Sequence, residues 1–268
     1  MSHFLSIDDL AHPSLTDLQQ AAIEYTSSNP VRFDRDTMMS TAIQKTGLDH
    51  WGSLDFIQRL DLQIAAVEQD TGLNPLGRLS IYNDMVRYLA NRLQFEAYRL
   101  KHPEYDQIAL EDPLVVVGLP RSGTTHLLNM MAADPRLQSI PYWESRQPFV
   151  IATEQASWDD QDPRYQRCAQ EWAMSEQLLP LLKAMHEMSP DHVHEELELE
   201  NLDFSSYNLD WMARVPAWRD FYLSQNQAPH YLYMKQVLKA VVKLNQLKQQ
   251  LKLQRQVLQV RRVNFKEA

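Results

Sequence analysis

Four apolar residues, three of them β-branched, run from Leu114 to Val117 and lead into a loop with glycines at Gly118 and Gly123. Thr124 and Thr125 then open an apolar stretch through Leu127, Leu128, Met130 and Met131. The first run has the composition of a buried strand, and the last has the spacing of a helix. Strand, glycine-containing loop and helix N-terminus together form a seat for a phosphate-like anion. The loop turns its backbone N–H groups inward, and the helix dipole favours negative charge. This unit implies an α/β fold with a parallel sheet starting at Leu114 and flanked by helices.

The rest of the chain narrows the choice. With 268 residues and 44% apolar content, it is long enough for one large domain or two small ones. We expect a helical N-terminal region over 1–110, a P-loop-type domain over 111–242 and a divergent basic tail over 243–268, helix-rich overall. In the first region, Ser14-Leu-Thr-Asp-Leu18 carries a cap-like start. Ile81, Met85, Tyr88, Leu89, Leu93 and Tyr98 recur at helical spacing until His102-Pro103 stops them. Ser189-Pro190-Asp191 has the composition of a cap for a helix through Glu195 to Leu202. A further helix is expected from near Pro229, and Gln256-Val-Leu-Gln-Val-Arg-Arg262 reads as a short β-like run ending in Arg.

Charge and glycine are unevenly spread. The net charge is −9, yet residues 221–268 hold nine Lys/Arg and a single acid, Glu267. All six glycines lie at or before Gly123. The acidic balance argues against broad nucleic-acid binding. No apolar run approaches the length needed to span a bilayer. The N-terminus has no basic region followed by an apolar core, and Cys168 is the only cysteine, so the expected location is the cytoplasm.

Gly118, Gly123 and Thr125 occupy the spacing of the nucleotide-binding pattern G-x-x-x-x-G-K-[ST], but Thr124 stands where its lysine belongs. That lysine reaches the β- and γ-phosphates of a nucleoside triphosphate. Its replacement disfavours a kinase or NTPase, while Arg121 still places a cation inside the loop. A shorter anion, a phosphate bearing one further charged group, suits such a loop.

Gly118-Leu-Pro-Arg-Ser-Gly-Thr-Thr125 resembles the 5′-phosphosulfate-binding loop of sulfotransferases. The Pro-Arg-Ser-Gly-Thr-Thr form is similar to that of a bacterial branch that also includes the tyrosylprotein sulfotransferases. His194-Glu-Glu-Leu-Glu-Leu-Glu-Asn-Leu-Asp-Phe204 and Pro229-His-Tyr-Leu-Tyr-Met-Lys-Gln-Val-Leu238 resemble further segments of bacterial members, so the likeness runs over roughly residues 75–242. It implies 3′-phosphoadenosine 5′-phosphosulfate as donor, a small-molecule hydroxyl or amine as acceptor, and no metal. Gly118, Ser122, Gly123, Thr124, Thr125 and His126 would form the donor-binding loop. Arg121 would lie along the transferred sulfate. Glu144 would take the acceptor proton, with Tyr142 and Trp143 partly burying it.

His126 offers another base, and His186, His192 and His194, with Glu195, offer metal ligands, but the spacing of that set matches no standard metal pattern. Aromatic residues Trp143, Phe149, Trp158, Trp172, Trp211, Trp218 and Tyr222 could line an acceptor pocket, although at these spacings core packing is their expected use. The second signature of the family, an Arg and a downstream Ser that grip the 3′-phosphate, is not found. With the charge reversal of the tail, its lack leads us to expect a chain truncated or frameshifted after about Val242. The rival readings are an inactive truncated fragment and a helical interaction protein with a vacant loop.

Overall fold

In the computed structural model, residues 8–9, 12–119, 122–151, 154, 160–182 and 189–264 are described, with side chains through residue 246. Four helices build the N-terminal part: α1 (Asp17–Ser28), α2 (Arg35–Thr46), α3 (Phe56–Gln69) and α4 (Pro75–Lys101). Local chemistry sets their ends. Thr16 and Gln19 form a reciprocal capping box at α1. Asp34 accepts from the Thr37 amide at α2. Asn74 caps α4 ahead of Pro75, and α4 ends at His102 before Pro103.

A short 3₁₀ turn (Pro103–Gln107) leads to the non-helical stretch 108–119. Then come α5 (Thr124–Ala132), α6 (Tyr142–Arg146), α7 (Pro163–Leu178), α8 (Leu197–Glu200), a second 3₁₀ turn (Asn201–Asp203), α9 (Leu209–Met212), α10 (Pro216–Ser224) and α11 (Ala228–Asn264).

Helix α4 is the spine. One apolar cluster, with Met38, Phe56, Leu60, Met85, Leu89, Leu93, Phe204 and Trp218, packs along it. A second, around Phe95, Phe149, Leu202 and Val237, joins it to α11. Phe204 stacks on Phe56 and meets Tyr88 edge-on. Between the clusters lies a buried polar knot. Arg92 donates to the carbonyls of Trp51, Ser53 and Leu202 and to the Asp203 carboxylate, with its guanidinium 4.1 Å above the Phe56 ring. Arg59 reaches Asp203 Oδ1 at 2.7 Å, and His230 Nδ1 reaches Asp203 Oδ2 at 2.8 Å. One carboxylate thereby ties α3, α4 and α11 together.

Two sequence expectations require correction, and a third, the parallel sheet, stays open. No strand forms among the described residues. Leu114, Val115, Val117 and Leu119 are 65–86% exposed. A β-branched run becomes a strand only when a neighbour completes its hydrogen-bond ladder, and no extended segment pairs with it among the described residues. The parallel sheet therefore stays an expectation. Ser189-Pro190-Asp191 caps no helix: residues 189–195 form turns and extended chain, and helix resumes only at Leu197. Gln256–Arg262 is part of α11, as its Gln, Leu and Arg content favours.

Candidate anion site

The loop before α5 closes on itself. Gly123 is the N-cap in the left-handed region, at φ 92° and ψ 15°, a conformation open to glycine at no steric cost. The Ser122 amide donates to the Leu119 carbonyl at 3.1 Å, completing the turn. A Cβ on Gly118 would lie 2.7 Å from both Ser122 Oγ and Thr124 Cγ2, so these two side chains fold over Gly118 and leave room for hydrogen alone. The first amides of α5 have no intrahelical acceptor, and no side chain caps them. Amides, hydroxyls and the positive end of a nine-residue helix converge here, and this set fits an anion.

A segment distant in sequence is fastened to this helix. Asn129, one turn beyond Thr125, donates to the Val193 carbonyl at 3.1 Å and accepts from the Val193 amide at 2.9 Å. Its amide nitrogen also lies 3.1 Å from His192 Nε2. The same segment pairs with the start of α6. Pro141 and Val193 form an antiparallel bridge, and the Tyr142 amide donates to the His192 carbonyl at 2.8 Å. At the loop itself, the Thr125 hydroxyl donates to Glu195 Oε1 at 3.2 Å. Residues 192–195 therefore strap α5 to α6.

The sequence-derived residues fall into three groups. Gly118, Ser122, Gly123, Thr124 and Thr125 come together as one loop. His126 is exposed on α5, and Arg121 lies outside the described residues. Glu144 is buried on α6 beside buried Trp143, and its carboxylate accepts from Asn245 of α11 at 3.3 Å. Neighbouring Tyr142 is half-buried, and desolvation pushes its phenol up to about 12 against the pull of Arg146.

Among the described residues no group of three or more His, Cys, Asp or Glu is placed to hold a metal ion; His186 lies outside them. Trp143, Phe149 and Trp218 are packed in the interior, Trp211 is exposed, and Trp158 lies outside the described residues. Cys168 is buried, and burial pushes its thiol up to about 12. No helix among the described residues is long and apolar enough to cross a membrane.

Asn129 does not stand out in the sequence, and Glu195 is read there only as a possible metal ligand beside His186, His192 and His194. Asn129 sits four residues after Thr125, on the same helical face, which is the only local signal it gives. Glu195 is hidden among the acids of His194–Phe204.

Residues 113–244 match the sulfotransferase family. The chain is similar in fold to the crystal structure of a sulfotransferase from Mycobacterium tuberculosis, with 24% identity and a TM-score of 0.65, over 77% of this chain and 56% of that one. It is also similar to a sulfotransferase from Mycobacterium avium, with 26% identity and a TM-score of 0.67, over 78% of this chain and 54% of that one. The chain thus spans little more than half the length of these relatives. No curated protein matches it significantly.

Proposed function

We propose that the chain, whose residues 113–244 match the sulfotransferase family, moves a sulfuryl group from 3′-phosphoadenosine 5′-phosphosulfate to a hydroxyl or amine of a small molecule. The observation that carries this reading is the closed loop Gly118–Thr125 at the start of α5, inside the matched segment. The donor, when bound, supplies the activated sulfuryl group on a phosphate leaving group. The amides of residues 123–125, with the hydroxyls of Ser122, Thr124 and Thr125, would hold the 5′-phosphate. Arg121 would balance the charge that builds on the phosphate as the bond to sulfur breaks. A fixed guanidinium suits this work because it is always charged and presents several donors in one plane.

Positioning and electrostatics would dominate, as in phosphoryl transfer. The acceptor must give up a proton as it attacks, and the Glu144 carboxylate is the group we assign to receive it. Its hydrogen bond from Asn245 would fix its orientation. Thr124 in place of a lysine disfavours an NTPase. A cytoplasmic location fits the supply of such a donor.

The test is turnover. The chain would be incubated with donor labelled in its sulfate and a panel of phenols, alcohols and amines, and labelled product would be counted. Arg121→Ala should lower the rate by about 10²–10³, and Glu144→Gln by about 10²–10⁴, with the fold intact by circular dichroism. Label transfer that survives both substitutions contradicts the residue assignment. No transfer to any acceptor by a folded chain contradicts the activity.

A further inference from the structure

We propose that Glu195 is a latch on the anion loop, a positioning residue that competes with the bound anion for the hydroxyl of Thr125. This inference rests on the donor-site reading above and adds a control to it. A threonine hydroxyl carries a single proton. In the structure that proton is directed at Glu195 Oε1, 3.2 Å away. Donation to a phosphate oxygen and donation to Glu195 exclude each other, so an anion seated on the loop has to displace the carboxylate. The carboxylate also places negative charge beside amides that would otherwise attract an anion without opposition.

The placement of Glu195 is enforced. Val193, two residues earlier, is fixed to Asn129 by hydrogen bonds in both directions, and Asn129 lies on the same helix as Thr125. Pro141 and Tyr142 hold the other edge of residues 192–193. The carboxylate thus stands at the loop because its backbone is strapped there, rather than because a flexible side chain happens to reach it. Glu195 itself is half-buried and the contact lies beside the exposed Ser122 and Gly123, so the side chain has room to swing away. The consequence is weakened, readily reversed anion binding. A transferase that must release a bisphosphate product after each turnover gains from such a latch, because product release sets the rate of many enzymes.

The experiment is calorimetric titration of the 268-residue chain with 3′,5′-adenosine bisphosphate. Wild type, Glu195→Gln, Thr125→Val and the double variant are compared, and thermal melts verify the fold of each. Glu195→Gln removes the charge and weakens the competing hydrogen bond, so it should tighten binding by about 3- to 10-fold, the scale of one hydrogen bond in equilibrium. In the Thr125→Val background the gain should shrink, because the contested proton is gone and only charge repulsion remains. A wild type that binds while Glu195→Gln binds equally or more weakly overturns the latch and leaves the donor site standing. Binding by Glu195→Gln alone supports the latch. No binding by either overturns the donor-site reading and the latch with it.

Discussion

Around Asp203, two guanidiniums and an imidazole converge on one buried carboxylate, and apolar clusters close over them on both sides. Around Gly118, a turn of backbone closes on two hydroxyl-bearing side chains while Leu114, Val115, Val117 and Leu119 stand in solvent. The first region is held by burial and charge pairing and has one arrangement. The second is held by backbone geometry and by the strap through Asn129, and its polar groups are left to act on something else. On the proposed reading, the difference teaches that the framework carries stability and that the loop is left for chemistry. Substitutions should separate the two.

The largest effect is expected at Asp203. Asp203→Asn keeps the shape but leaves Arg92 buried without a counter-charge and Arg59 with only Asp55, 3.6 Å away. It should cost about 3–5 kcal/mol in chemical denaturation. A loss below about 1 kcal/mol would mean that the knot is not what binds α3, α4 and α11.

Glu200 sharpens the comparison from the same side. It is buried on α8, and burial, reinforced by Glu196, pushes its carboxyl from 4.5 up to about 7. With the native value raised, the folded chain binds more protons than the unfolded one between these values. The contribution of this group is therefore complete below about pH 4.5 and is lost as the pH rises through about 7. Glu200→Gln should leave stability unchanged near pH 4 and raise it by on the order of 2 kcal/mol at pH 8. An equal effect at both values would show that ionisation of Glu200 is not the cause.

Gly118→Ala works on the other region. The added methyl would lie 2.7 Å from Ser122 Oγ and Thr124 Cγ2 and force the loop open. Affinity for the bisphosphate should fall at least about tenfold, or 1.4 kcal/mol. Stability should change by less than about 1 kcal/mol, as for other exposed sites. A large loss of stability with binding intact would reverse the division between framework and loop.

These regions were legible to different degrees. Helix α4 could be read because Ile81, Met85, Tyr88, Leu89 and Leu93 repeat at its period and Pro103 stops it; periodicity is a local property. The loop could be read because its glycine and hydroxyl spacing is local too. Ser189-Pro190-Asp191 misled because a capping composition carries no information about Asn129, some sixty residues earlier, which holds Val193 extended. Leu114–Val117 has the residues of a strand, but its strand character depends on a neighbour that no single segment encodes. Asp203, Arg59, Arg92 and His230 meet from four separate stretches, and nothing in their spacing announces it.

The central claim is that residues 118–125 bind a phosphate-bearing nucleotide independently of the framework. Titration of the chain with 3′,5′-adenosine bisphosphate, with Mg-ATP as control and Arg121→Ala as the second sample, tests it most directly. The account predicts micromolar binding of the bisphosphate, weak or no binding of Mg-ATP, and loss of affinity with an unchanged melting temperature in Arg121→Ala. A folded chain that binds neither nucleotide, or binds both indifferently to Arg121, would contradict it.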